Sequence, residues 1–405
     1  MKRSHLNRCF ILLVIAGLAL LFIMHNRTSL KAFQGNMLFK PQGNVQHRMI
    51  VKEDEDTFEK RRDHLLEVCN SSFVNETGQI FQYVKSKYLL YDSKHNFVFC
   101  MVQKVGCTFW RRVFYSLKHK ETSNIYSINN LKVHDEHIPT LGQFDVIKAK
   151  RVLRSATTAM FVREPYERAF SGYLDKLHTL NPYYMKSLGR PIIKMMRKHA
   201  TTKSLNCGHD ATFTELIRYL VKQKRNGQLL NIDHHFSPIY THCLPCDIKY
   251  DFIGKMESFD EDTSYVMSKT NMFQNKSISM SKNASIIDDL YTKMIDAFNA
   301  QKTMSDCMTL REMYGRVWRT LQLRGLVNPD VPMPDSQNIT LDMMHREAVK
   351  VSDPSRVLEY KHKGFVEMYK TVDRHLLLEF REYVLKDCKL FGYDDKPPDL
   401  FSWQR

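Results

Sequence analysis

The chain has 405 residues, 43% of them apolar, and a formal net charge of +16 from 60 Lys and Arg against 44 Asp and Glu. The apolar share excludes a wholly disordered chain, and the length allows one large globular domain or two modest ones. The positive excess favours polyanionic partners (nucleic acid, anionic lipid, acidic glycan or a phosphorylated cofactor), and charge alone does not choose among them.

At the N-terminus an unbroken apolar run extends from Cys9 to Met24. As a helix it spans about 24 Å, enough for a thin membrane with Arg8 and Arg27 snorkelling outward. Lys2, Arg3 and Arg8 precede it. The positive-inside rule therefore predicts a cytosolic tail over 1–8, a signal anchor over 9–24 and a lumenal remainder. No small-x-small cleavage site follows Met24, which favours an anchor over a cleaved signal peptide. A lumenal chain also argues against nucleic acid as the partner.

Residues 25–64 read as a polar stem ending in the charged stretch Lys52 to Arg62. Asp54 and Asp56 form a D-x-D there, expected to be solvated charge and not a metal site. Nine cysteines are present. In an oxidising lumen some of Cys69, Cys100, Cys107, Cys207, Cys243, Cys246, Cys307 and Cys388 should pair, with the connectivity open. Cys243 and Cys246 lack a second C-x-x-C, so they are expected to be structural and not half a zinc site. Asn70, Asn75, Asn275, Asn283 and Asn338 head N-x-S/T sequons and are candidate glycosylation positions, whereas Asn26 lies too close to the membrane.

The folded domain is expected over 65–393, with a C-terminal tail over 394–405. Phe97 to Val102 is a continuous apolar run of strand length, as in a strand buried on both faces of a parallel sheet. Phe109, Trp110, Val113, Phe114 and Leu117 then recur at helical spacing, with Arg111, Arg112 and Lys118 largely on other faces. A second unit repeats the order. Ala159 to Val162 reads as a strand end and Pro165 as a first-turn residue. Tyr166, Ala169, Phe170, Tyr173 and Leu177 mark a helical face. Tyr250 to Ile253 is a third short strand, and the pattern beyond residue 285 is mainly helical. This alternation predicts an α/β domain with a parallel sheet and a helical C-terminal portion.

Both strand–helix junctions carry anion-binding chemistry. In the first, Lys104 supplies a mobile positive charge, Gly106 permits close backbone approach and Thr108 offers a hydroxyl at the positive end of a helix. It is not a Walker A loop, because G-x-x-x-x-G-K-[ST] is absent. In the second, Arg163 ends a strand with a planar fork suited to phosphate, and Ser171 follows about two helical turns on. Arg168 reads as a surface or salt-bridging arginine.

These segments, QKVGCTFWRR from Gln103 and FVREPYERAFSGYLDK from Phe161, resemble the 5′-phosphosulfate and 3′-phosphate motifs of sulfotransferases. They are most similar to the Golgi carbohydrate sulfotransferases of the HNK-1 and chondroitin/dermatan/GalNAc 4-O group, sulfotransferase family 2. A third block agrees: His235-Phe236-Ser237-Pro238, then Cys243-Leu244-Pro245-Cys246, then Tyr250 to Lys255. The Leu390 to Tyr393 ending matches too.

The resemblance implies a P-loop-like sulfotransferase fold, a central parallel sheet flanked by helices and preceded by one transmembrane helix. It implies the donor 3′-phosphoadenylyl sulfate (PAPS), held by Gln103, Lys104, Val105, Gly106, Cys107, Thr108 and Phe109 at its 5′ side. Arg163, Glu164, Pro165, Tyr166, Glu167, Arg168, Ala169, Phe170 and Ser171 hold its 3′ side. It implies in-line attack by a sugar hydroxyl, with Lys104 stabilising charge on the bridging oxygen and no metal required. A histidine is the expected base: His134, with His137 and His235 as rivals. The expected acceptor is an acidic or GalNAc-containing glycan (GalNAc 4-O or glucuronate 3-O), and the expected site is the Golgi membrane. The sequence departs from the family pattern at Gln103 (usually Pro), Phe109 (usually Asn) and Phe236 (usually Trp), which puts the cofactor geometry in question. The alternatives are a lumenal glycosyltransferase, which would want a D-x-D in the folded domain, and a non-catalytic polyanion-binding protein that keeps the fold.

Overall fold

A computed structural model describes residues 52–71, 87–119, 124–272, 282–335 and 339–402. The segment 9–24, most of the stem, and Asn26, Asn75, Asn275 and Asn338 lie outside them. Among the described residues no helix is long and apolar enough to cross a membrane.

The sheet has four strands in chain order: β1 (Leu89–Asp92), β2 (Phe97–Cys100), β3 (Thr157–Val162) and β4 (Phe252–Lys255). β2, β3 and β4 pair in parallel, as the strand–helix alternation predicts, with β4 starting two residues later than the expected Tyr250, and every residue of β2 is buried. β1 joins as an antiparallel edge strand, which the sequence reading did not anticipate.

α1 (Lys52–Asn70) corrects the expected stem boundary, because residues 52–64 belong to the folded domain. Phe58 and Leu65 are buried two turns apart. Arg61 donates to the Ile253 carbonyl at 2.9 Å and to Asp262 at 2.7 Å, and Arg62 donates to the Asp251 carbonyl at 2.8 Å. So charged a helix docks through a narrow apolar stripe plus arginine contacts, which composition does not reveal. The expected tail is corrected in the same way. Asp395 pairs with Arg381 at 2.5 Å, and Leu400, in the short helix Pro398–Phe401, is fully buried.

α2 (Cys107–His119) follows β2 and docks through Trp110, whose ring centroid lies 4.4 Å from Phe99 and 5.4 Å from Phe161. Arg112 is not on an outer face. It is 2% exposed, donates to the Ile128 carbonyl at 2.9 Å, and takes both oxygens of Asp288 at 2.9 and 3.0 Å. Next come α3 (Asn130–Asp135), α4 (Val146–Ser155) and α5 (Pro165–Tyr173), which runs into a π-helical turn at Leu174–His178. α6 (Phe213–Arg225) and α7 (Phe259–Lys269) precede a helical C-terminal half. That half comprises α8 (Lys282–Met304), α9 (Leu310–Leu323), α10 (Leu341–Lys350), α11 (Val357–Tyr369) and α12 (Arg374–Phe391). Tyr166, Phe170, Phe213, Tyr369 and Phe380 form a second core from α5, α6, α11 and α12.

Three disulfides pin these layers: Cys69–Cys246, Cys100–Cys243 and Cys207–Cys307. The cysteines of C-x-P-C, expected to be structural with their connectivity open, go to separate partners, α1 and the end of β2. Cross-links over 177 and 143 residues remove much chain entropy from the unfolded state. Replacing Cys100 and Cys243 together by Ser should cost about 2–5 kcal/mol, read as a lowered midpoint in chemical denaturation.

Candidate active site

Because β2 and β3 run in parallel in adjacent positions, the segments leaving their carboxyl ends emerge side by side. The first, Gln103 to Gly106, turns tightly into α2. Lys104 has φ +70° and Gly106 φ +79°. A Cβ on Gly106 would lie 2.5 Å from the Phe259 ring, so only glycine lets this turn close on the aromatic side chain above it. The first N–H groups of α2 have no partner within the helix and provide donors at Cys107 and Thr108. Val105 is buried beneath, and Cys107 is a partly exposed free thiol.

Lys104 points back into the protein, where its ammonium lies 3.0 Å from Asp175 in the π-helical turn. Burial pushes this ammonium down to about 8, against the pull of Asp175. Lys176 also reaches Asp175, at 3.1 Å, and Lys293 of α8 bonds its other oxygen.

The second segment holds Arg163, which is 8% exposed. It donates to the Lys104 carbonyl at 3.4 Å and to Glu167 at 2.9 Å, so the two loops touch. Lys361 of α11 approaches the same Glu167 oxygen at 2.7 Å. Burial alone would raise the Glu167 carboxyl, but these two cations hold it at about 2. Glu164 caps α5 by accepting from the Tyr166 and Glu167 N–H groups, and Pro165 opens the helix. Tyr166, Ala169 and Phe170 pack in the second core, and Ser171 is half-buried on the next turn.

Arg168 is neither at the surface nor in a salt bridge. It is 4% exposed and donates to three carbonyls: Gln103 at 3.1 Å, Ser237 at 2.7 Å and His234 at 3.1 Å. It therefore clamps the first loop, α5 and the His-Phe-Ser-Pro block together. The departures from the family pattern also find places here. Phe109 is buried edge-on to Phe259, their centroids 5.3 Å apart, and Phe236 is buried against Gly172, where a Cβ would sit 2.7 Å from its ring. Neither ring lies open to a ligand.

His134 shares a 3.3 Å hydrogen bond with the Thr108 hydroxyl at the cradle. Desolvation where the ring meets the protein, then the charges of Arg111 and Lys176, push it down to about 4, so it is a neutral acceptor at neutral pH. His137 bonds Gln143 at 2.9 Å, and its carbonyl accepts from Lys118, about 15 Å along α2 from Thr108. His235 is buried and bonds Asp233 at 2.7 Å and the Tyr184 hydroxyl at 3.4 Å. Burial pushes its imidazole down to about 4, against the hydrogen bond to Asp233. Asp233, His234 and His235 offer ligand atoms within 4.8 Å of one another, the one cluster of metal-ligand spacing among the described residues.

Sequence reasoning did not assign Asp175, Lys176, Lys293 or Lys361. The first two sat inside the second motif, whereas Lys293 and Lys361 reach the site across long chain separations that no local pattern signals.

The chain is an α/β protein in which two loops, carrying Lys104 and Arg163, meet at neighbouring parallel strand ends on the carboxyl edge of its sheet. Residues 87–314, more than half of the chain, match the Sulfotransferase family, and the chain belongs to that family. It is 35% identical over 219 residues to carbohydrate sulfotransferase 9 of Homo sapiens, covering 53% of this chain and 48% of that protein. It is 32% identical over 211 residues to carbohydrate sulfotransferase 11 of Rattus norvegicus (51% and 60%), and 34% identical over 193 residues to carbohydrate sulfotransferase 14 of Danio rerio (47% and 50%). The similarity thus spans about half the length of these curated relatives. No solved structure matches the chain.

The two arginines of the second motif should separate on mutation. Arg168→Met removes three charge-assisted bonds and should cost at least about 3 kcal/mol of stability. Arg163→Met removes one of the two cations on Glu167 but leaves Lys361 in place, and should lower the denaturation midpoint by less.

Proposed function

We propose that this protein is a PAPS-dependent sulfotransferase that moves a sulfuryl group onto a sugar hydroxyl of an acidic or GalNAc-containing glycan. The observation that carries this reading is the meeting of Lys104 and Arg163 at adjacent strand ends, 3.4 Å apart through the Lys104 carbonyl. A tight turn that Gly106 closes against Phe259, an N-terminal helix turn and two separately placed cations suit a nucleotide with phosphates at both its 5′ and 3′ positions.

When bound, PAPS supplies an activated sulfuryl group on a phosphate leaving group. Lys104 and the N–H groups from Gly106 to Thr108 hold its 5′ side, and Arg163 with Ser171 holds the 3′-phosphate. Lys104 would stabilise the negative charge that the leaving phosphate gains. His134, beside Thr108, takes the proton of the acceptor hydroxyl. The names of the relatives support a carbohydrate acceptor. The basic excess suits an anionic chain passing over the site. The apolar run at 9–24 and the three disulfides are consistent with a type II protein of the Golgi membrane, its catalytic domain in the lumen.

Thermal-shift measurements should show stabilisation by 3′,5′-ADP and PAPS, lost in Lys104→Ala and Arg163→Ala. UDP-sugars stabilising in their place would overturn the reading in favour of a glycosyltransferase. Stabilisation by heparin alone would favour a non-catalytic polyanion binder. Radiolabelled sulfate transfer to desulfated glycans should follow, with activity falling as pH rises through about 8, where Lys104 loses its proton.

A further inference from the structure

The reaction described above uses Lys104 but leaves unexplained the carboxylate that holds it. We infer that Asp175 is a positioning residue for Lys104, parking the ammonium while the donor site is empty and yielding it when the donor's 5′-phosphosulfate binds. The inference rests on the donor reading above.

Three ammonium groups from three places in the fold converge on this one carboxylate. Lys104 comes from the turn after β2 and Lys176 from the turn that carries Asp175 itself. They reach the same oxygen at 3.0 and 3.1 Å. Lys293, from α8, bonds the other oxygen. Their combined charge overcomes burial and holds the Asp175 carboxyl well below the usual range. Arg324, at the end of α9, adds further positive charge nearby while pairing with Asp289 at 2.7 Å.

The ratio of three to one makes the arrangement a holding device. Opening a one-to-one buried pair strands a charge without compensation, which is strongly unfavourable. Here Asp175 keeps Lys176 and Lys293 when Lys104 leaves, so the carboxylate is never stranded. Lys104 in turn leaves for another anion, so its own charge is not stranded either. While Lys104 is parked, Asp175 has a second effect. Of the charges that act on the Lys104 ammonium, Asp175 favours its protonated form, and Arg324, Lys176 and Lys293 oppose it. Arg163 meets the Lys104 backbone carbonyl. Asp289 and Asp288 are engaged by Arg324 and Arg112. Asp289 also acts on Lys104 from its pairing with Arg324, but Asp175 is the carboxylate in direct contact with the ammonium and the largest charge favouring its protonated form.

The test compares the full chain with Asp175→Asn and Lys293→Met, measuring 3′,5′-ADP affinity by calorimetry and the pH profile of sulfate transfer. Measured at a pH about one unit below its own alkaline limb, where Lys104 is still charged, Asp175→Asn should bind 3′,5′-ADP several-fold more tightly, because the lysine no longer has to be drawn from a competing anion. Its alkaline limb should move about 1–3 pH units lower. Lys293→Met should do the reverse: weaker binding and a limb displaced upward, because the remaining lysines hold Asp175 alone. A merely structural Asp175 predicts weaker or unchanged binding in Asp175→Asn with the limb unmoved, and that result would overturn the inference. If Asp175→Asn does not fold, Lys293→Met decides: opposite or absent shifts overturn it. Wild-type protein that fails to bind 3′,5′-ADP would overturn the donor reading itself and the inference with it. Wild-type binding without the two opposed shifts overturns the inference alone.

Discussion

Parallel pairing of β2 with β3 leaves the carboxyl ends of both strands on one edge of the sheet, a single strand spacing apart. The register, Phe97 opposite Thr157 and Cys100 opposite Met160, fixes where each chain leaves the sheet. Everything at the site inherits that spacing. The tight turn at Lys104 to Gly106, the helix start at Cys107 and the fork of Arg163 face one region because their strands are neighbours. Trp110 beneath Phe99 and Phe161, and the Arg168 clamp on three carbonyls, keep the edge rigid. The rigid edge fixes the helix start and the backbone of both loops, while the Lys104 side chain is turned away onto Asp175.

Charge at this edge is arranged in surplus. Glu167 serves both Arg163 and Lys361, and Asp175 serves Lys104, Lys176 and Lys293. Each carboxylate offsets enough charge to let the cations be buried, yet neither neutralises them all. The edge is therefore left with net positive charge. The same logic explains why Lys104 sits near its titration point whereas Lys293, on the far side of Asp175, stays firmly protonated.

Much of this was legible in the sequence, for physical reasons. β2 and β3 are buried on both faces, so their apolar runs are continuous and stand out, and Pro165 marks a helix start through its fixed φ. The turn residues Lys104, Gly106 and Thr108 are local, and so is their chemistry. What escaped is long-range or masked by residue type. The first part of α1 looked like a solvated stem because within the charged run Lys52 to Arg62 it docks through Phe58 and two arginines. Arg112 and Arg168 looked like surface residues because burial of a guanidinium depends on carbonyls and a carboxylate elsewhere in the chain. β1 is four residues long and gave no distinct run. Lys293 and Lys361 come from helices far down the chain, and nothing in their local sequence marks them.

The central claim is that two neighbouring strand ends share one nucleotide. A crystal structure of the protein with 3′,5′-ADP addresses it most directly. The 5′-phosphate should lie on the turn from Lys104 to Thr108, with the Lys104 ammonium turned toward it, and the 3′-phosphate should lie on Arg163 and Ser171. A nucleotide bound elsewhere, with Lys104 still on Asp175 and Arg163 still on Glu167, would contradict it.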